Sequence, residues 1–121
     1  MKRVLLIDQD TTVMQRIGLH CLEREVGVLM TDNLCEGVRA LLRASVSLIV
    51  VDAALLRLTP KEHAILFERV APAVPVVVAF RPDVPLETRV AYEVLGFKTL
   101  TRPLTAEDIL DKAAVADPPV G

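Results

Sequence analysis

Asp8 and Asp52 each close a short apolar run, Val4-Leu5-Leu6-Ile7 before the first and Leu48-Ile49-Val50-Val51 before the second. Runs of this length and β-branched content read as strands buried on both faces, as in a parallel sheet. In open parallel sheets, ligands gather just beyond the carboxyl ends of the strands. Two carboxylates placed there repel each other unless a cation or a base lies between them. The chemistry to expect is therefore that of an acidic pocket that holds a positive charge. Arg102, followed by Pro103, ends a later strand and can bring its guanidinium into the same corner. Asp10, two residues after Asp8, returns to the same side if the extended path continues that far.

These residues can meet only if the intervening chain folds as alternating strands and helices. The first strand covers about residues 3–8. A helix follows, with Thr12 and Gln15 spaced as a capping box and Val13, Ile17, Cys21 and Leu22 as its apolar face. A short second strand lies near Val28-Leu29-Met30-Thr31. The second helix opens on Asn33 with Glu36 three residues on, and its buried stripe is Leu34, Val38, Leu41 and Leu42. The third strand ends at Asp52. Thr59, Pro60 and Glu62 mark the start of a third helix as cap, first residue and reciprocal capping partner. Pro75 introduces a fourth strand, Val76–Phe80. A fourth helix runs from about Pro85 to Leu95 and stops at Gly96. Thr99-Leu100-Thr101 is the fifth strand, and Thr105 with Asp108 starts the last helix. Five such units predict an α/β, doubly wound (βα)5 sandwich, whose five-stranded parallel sheet has the order 2-1-3-4-5. Residues 1–116 form one domain, and the proline-rich 117–121 reads as a tail or linker. That strand order makes Asp8 and Asp52 neighbours at the switch point of the winding.

Composition narrows the partners. The chain has 121 residues, 52% of them hydrophobic and 25% charged, which suits one globular domain with a single good core. A net charge of −2 without any basic run gives no footprint for direct nucleic-acid contact. Four aromatic residues offer no base-stacking surface. No apolar stretch reaches the ~20 residues needed to span a bilayer, and no signal peptide precedes the first strand. Cys21 and Cys35 lack zinc spacing and read as two reduced, mostly buried thiols of a cytoplasmic protein. His20 and His63 fall on predicted helix surfaces with no partner at ligand spacing and read as solvent-facing. No nucleophile–base pair is visible, so an enzyme with turnover is not expected.

Over essentially its whole length the chain resembles a response-regulator receiver domain of two-component signalling. The resemblance rests on VLLIDQD at the opening, IVVD at the end of the third strand, Pro75 before the fourth, and the basic-Pro pair Arg102-Pro103 before a short helix. It implies a flavodoxin-like fold and a phosphorelay role. By position, Asp52 matches the aspartate that accepts a phosphoryl group from a histidine kinase, and Asp8 matches the first of two acids that hold Mg²⁺. The resemblance also implies signalling contacts, and dimers, on the face of the fourth helix, fifth strand and fifth helix. Here that face includes Glu87, Arg89, Tyr92, Glu93, Lys98 and Asp108, with Asp111 and Lys112 beyond.

Several positions depart from the family pattern. Gln9 stands where the second metal acid is expected, and a neutral amide oxygen is a poorer ligand for a hard cation. Phe80 replaces the hydroxyl that senses the phosphoryl group, Arg102 replaces the lysine, and Thr99 sits where an aromatic switch is common. An arginine keeps the charge but is a planar fork, not a compact ammonium. The metal set is then Asp8, Asp10 and Asp52, with weak Mg²⁺ binding as the expectation. Asp10 is read either as a substitute metal acid or as a helix-start residue favoured by the dipole. Asp52 is read either as a phosphoacceptor or as a structural acid paired with Arg102. The leading expectation is a divergent or pseudo-receiver that acts by protein–protein interaction with a kinase or downstream signalling protein. A working phosphoacceptor with altered metal geometry is the alternative. A small-molecule or nucleotide-binding flavodoxin-like domain is a third, disfavoured because Asp8-Gln9-Asp10-Thr11-Thr12 lacks the glycines of a phosphate loop.

Overall fold

In the computed structural model, which describes residues 2–116, strands and α-helices alternate, with one added 3-10 turn, Ala53–Leu55, after the third strand. The strands are β1 (Lys2–Ile7), β2 (Val26–Thr31), β3 (Leu48–Asp52), β4 (Val76–Phe80) and β5 (Lys98–Thr101). The helices are α1 (Thr11–Glu23), α2 (Leu34–Arg43), α3 (Pro60–Val70), α4 (Leu86–Glu93) and α5 (Ala106–Ala116). All strand pairs are parallel, in the order β2-β1-β3-β4-β5. The predicted tail, 117–121, lies outside the described residues.

The pleat sorts the central strands into two cores. Val4 and Leu6 of β1 face α1 and α5, and pack with Val50, Val77, Met14, Ile17 and Ile109. Leu5 and Ile7 point the other way, among Ile49, Val51, Val78, Phe67 and Tyr92. Residues 4 to 7 and 48 to 51 are wholly buried. This explains runs with no polar alternation, since both faces of the sheet are covered. Each such side chain contributes about 1.5–3 kcal/mol by leaving water.

The helix starts follow from local chemistry. Asn33 accepts from the Glu36 amide, and Thr59 and Glu62 exchange the two bonds of a capping box. Thr105 accepts from the Asp108 amide. The first helix corrects its expectation. Its cap is Asp10, which accepts from the Val13 amide, and the pair expected at Thr12 and Gln15 is not used.

The predicted stripes also need adjustment. In α1, Met14 and Gly18 are buried while Leu22 is exposed. In α2, Leu42 is exposed at the end of an otherwise half-buried stripe. Of the two free cysteines, Cys21 is buried and Cys35 is exposed.

Candidate functional site at the carboxyl edge of the sheet

Register brings the acids together. Ile7 pairs with Val51, so Asp8 and Asp52 leave adjacent strands at one level. The Asp8 amide donates to the Thr31 carbonyl at 3.0 Å, extending the β1 path one residue further. This buries Asp8 to 1% exposure. The Asp10 amide then donates to Asp8 Oδ1 at 2.9 Å, turning the chain into α1. Asp52 sits at the last position of β3, and its Oδ1 accepts from the Ala54 amide at 3.1 Å.

Arg102 supplies the positive charge. Its amide donates to the Phe80 carbonyl at 2.8 Å, fixing it just past the end of β5. Its Nη1 donates to Asp8 Oδ2 at 2.7 Å, and its Nη2 donates to Asp8 Oδ1 at 3.2 Å. The same Nη1 lies 3.8 Å from Asp52 Oδ2. The expected pair of Asp52 with Arg102 is thus present only as the longer arm, and the fork itself closes on Asp8. Asp8 is the deeper carboxylate and needs a counter-charge most, whereas Asp52 is partly served by its own turn. The hydrogen bond it donates to Asp8 and the charges of the nearby acids hold the Arg102 guanidinium above its ordinary value, against the effect of burial.

A divalent cation does not fit this arrangement of side chains. Both Asp8 oxygens are engaged by the guanidinium fork. Gln9 is exposed and brings no charge. Asp10 points one oxygen at its own helix amide as a cap. Among the described residues, no three His, Cys, Asp or Glu side chains converge as a metal-binding group. The guanidinium lies between the two carboxylates, where a shared cation would have to sit.

Phe80 and Thr99 take part in a different construction. The Phe80 ring is buried, packed edge-on against Tyr92 with centroids 5.6 Å apart. Arg89 of α4 lies over that ring at 5.8 Å. Its guanidinium donates to Thr101 Oγ1 at 2.7 Å and to Thr99 Oγ1 at 3.3 Å. Sequence reasoning treated Arg89 as a surface charge. The available signal was the Thr99–Thr101 spacing, which puts both hydroxyls on one face of β5.

Two other assignments are corrected. His63 is fully buried, not solvent-facing. Its Nε2 accepts from the Leu58 amide at 3.2 Å, so the neutral ring carries its proton on Nδ1, 3.4 Å from the Tyr92 hydroxyl. Desolvation pushes the His63 ring below the usual imidazole value. Tyr92, counted on the partner face, is buried between this ring and Phe80. His20 is exposed as expected, though the fold brings Glu107 of α5 within 3.8 Å of it. Arg81 pairs loosely with Asp83 at 3.4 Å, and Arg57 is exposed.

No protein-family model matches the chain, and comparison with curated proteins finds no match. Solved structures do match. A CheY-like response regulator receiver domain from Methanospirillum hungatei JF-1 is 19% identical, with a TM-score of 0.79 over 95% of this chain and 92% of that one. The beryllofluoride-activated NtrC4 receiver domain, solved as a dimer, is 20% identical, with a TM-score of 0.81 over 96% of each chain. A response regulator from Burkholderia pseudomallei, solved with a phosphorylated aspartic acid, calcium ion and citrate, is 21% identical. That match has a TM-score of 0.76 over 95% of this chain and 70% of that one. The fold is that of response-regulator receiver domains.

Proposed function

We propose that the chain is a receiver-type signalling module that acts through protein contacts, with Mg²⁺-dependent phosphorylation of Asp52 impaired or absent. The observation that carries this reading is the Arg102 fork on both oxygens of Asp8. A phosphoryl transfer to aspartate brings negative groups together and depends on a cation to offset them. Here the cation is part of the chain and is already committed. Phe80 removes the hydroxyl that would contact a phosphoryl oxygen. A modification that makes no differential contact cannot shift a conformational equilibrium.

The partner surface in this reading is α4 with β5 and α5, offered to a histidine kinase, to a downstream signalling protein or to a second copy. Leu86, Val90 and Val94 recur four residues apart and are exposed. They form an apolar stripe along α4 and its C-terminal cap Val94, flanked by Glu87 and Glu93, of the kind that marks interaction sites. The module has no turnover of its own, works in the cytoplasm and makes no direct contact with nucleic acid or membrane. Among the described residues no helix is long and apolar enough to cross a membrane.

The test is incubation of the protein with Mg²⁺ and a small acyl phosphate, read by intact mass. The expected result is no phosphoryl adduct beyond that of an Asp52→Asn control. A stoichiometric adduct lost in that control would overturn the reading. One observation favours the alternative of a working phosphoacceptor. Asp52 Oδ2 takes part in no hydrogen bond among the described residues, and a cavity of ≈ 300 Å³ lined by Leu56, Phe80, Val84 and Tyr92 opens beside it. The third reading, a nucleotide site at the start of α1, is opposed by the Asp10 cap, whose carboxylate occupies the place an anion would take.

A further inference from the structure

We infer that His63 is a proton-operated latch: its neutral ring fastens α4 to the segment before α3, and taking up a proton releases both. α4 is lightly held. Of Leu86–Glu93 only Tyr92 is buried, and Pro85 before them makes no side-chain cap. Arg89 supplies further ties, to Thr99, Thr101 and the Phe80 ring. Segments with few buried contacts open at low cost. Whatever holds Tyr92 therefore governs how α4 sits.

The buried His63 ring joins two segments distant in sequence. Nε2 accepts from the Leu58 amide at 3.2 Å, in the stretch that leads into α3, and Nδ1 lies 3.4 Å from the Tyr92 hydroxyl. The two rings stack with centroids 6.3 Å apart, and Tyr92 packs edge-on against Phe80 and Phe97. A neutral imidazole can serve both partners, because one nitrogen accepts while the other donates. An imidazolium cannot, because both nitrogens are donors and Nε2–H would face the Leu58 N–H. The amide would lose its acceptor and a charge would be buried without water. The ring escapes both costs by leaving its site. Room for this exists, since a cavity of ≈ 300 Å³ lined by Leu56, Phe80, Val84 and Thr88 lies against Tyr92. The phenol can turn into it without displacing packed atoms.

The charges around the ring do not rescue an imidazolium. α3 offers Glu62, which favours the charged ring, but its Oε1 already accepts from the Thr59 amide. α4 offers Tyr92, whose hydroxyl burial pushes up and so keeps uncharged, and Arg89, which is committed to β5 and Phe80. β3 offers Asp52, which shares the cavity with Tyr92 but serves the Ala54 amide and lies near Arg102. Desolvation is the largest effect and sets the ring below the usual imidazole value. The closed form therefore keeps the neutral ring, while an open form with the ring in water takes its proton at about 6.5. As pH falls from there, the open form gains about tenfold per pH unit until the lowered value is reached.

The test is NMR of the full chain as pH is lowered from neutral. The His63 ring nitrogens are expected to titrate below those of His20, the chain's other histidine, which is exposed. Amide exchange at Leu58 and along α4, corrected for its intrinsic rate, is expected to quicken by about tenfold per pH unit over that window, while β1 and β3 stay protected. His63→Gln keeps an acceptor for Leu58 but cannot titrate, and is expected to abolish the change. His20→Gln is expected to leave it. The first two readouts need no variant, so they decide even if His63→Gln fails to fold. A His63 ring that titrates at or above the His20 value overturns the inference. So does exchange in α4 that follows its intrinsic rate alone, that quickens equally in β1 and β3, or that persists in His63→Gln. This inference stands apart from the state of Asp52, so either can fail alone.

Discussion

Replacing Arg102 with alanine separates a built-in cation from an ordinary surface charge. Asp8 would keep only the Asp10 amide as partner while remaining almost wholly buried. Breaking a buried ion pair by removing one member costs about 3–5 kcal/mol. The Arg102 side chain is 20% exposed, so water relieves part of the loss, and about 3 kcal/mol is the expected cost. For a domain of this size that lowers the melting temperature by roughly 10 °C. The vacated corner would hold Asp8 and Asp52 with no cation between them, which makes it a weak site for Mg²⁺. At a Mg²⁺ concentration about ten times its dissociation constant, binding returns about 1.4 kcal/mol, or roughly half the loss. The unsubstituted protein should show no such gain, because its guanidinium fills the place. Thermal unfolding followed by circular dichroism, with Mg²⁺ and with a chelator, measures both effects. Equal stabilisation of the two proteins by Mg²⁺, or a cost below about 1 kcal/mol for the variant, would refute the reasoning.

Other parts of the structure give further expectations. Burial lowers the His63 value below that of an unfolded chain, so the unfolded state binds the extra proton first. The stability due to the neutral ring is full above the ordinary imidazole value of about 6.5 and is lost as pH falls from there through the lowered value. Among charged neighbours Glu62 opposes the shift, and the uncharged Leu58 amide and Tyr92 hydroxyl face the ring. His63→Gln should remove that part of the pH dependence in denaturant titrations. Arg89→Ala loses two side-chain bonds and a ring contact, and should cost about 1–2 kcal/mol. Amide exchange should quicken in α4 while β1 and β3 stay protected. In thiol titration of the folded protein, Cys35 should react at once and Cys21 only on unfolding. Burial, then the charge of Glu107, pushes the Cys21 thiol up.

What could be read from the residues divides along physical lines. The three central strands were legible because each is an apolar run that needs both faces covered, the two edge strands because they fall between predicted helices, and the order was then narrowed by the handedness of crossovers. Caps at Asn33, Thr59 and Thr105 were legible because a capping residue acts on an amide three positions away. The α1 start was not, because Asp10 and Thr12 are both able to cap. The choice depends on the Asp8 amide bonding to Thr31 across two strands. His63 was misread for a similar reason. A histidine in a helix looks solvent-facing unless its remote partners, Leu58 and Tyr92, are known. The meeting of Asp8, Asp52 and Arg102 was readable from strand ends. Which acid the fork would take was not, since that depends on burial depth and on the Ala54 amide that already serves Asp52.

The exchange of side chains between β4 and β5 has a consequence for how information could pass through the molecule. With a ring at Phe80 and hydroxyls at Thr99 and Thr101, the polar contacts of this corner run sideways into α4 through Arg89. None of those contacts involves Asp52. Coupling between two sites is a free energy that must be equal in both directions. If the pose of α4 is set by Arg89 and not by the occupant of Asp52, a partner seated on α4 gains no affinity from a modified aspartate. By the same equality, that partner cannot alter the ease of modifying it. The module would then report its own presence and concentration, like a standing adaptor, and the abundance of the chain would be the quantity a cell regulates.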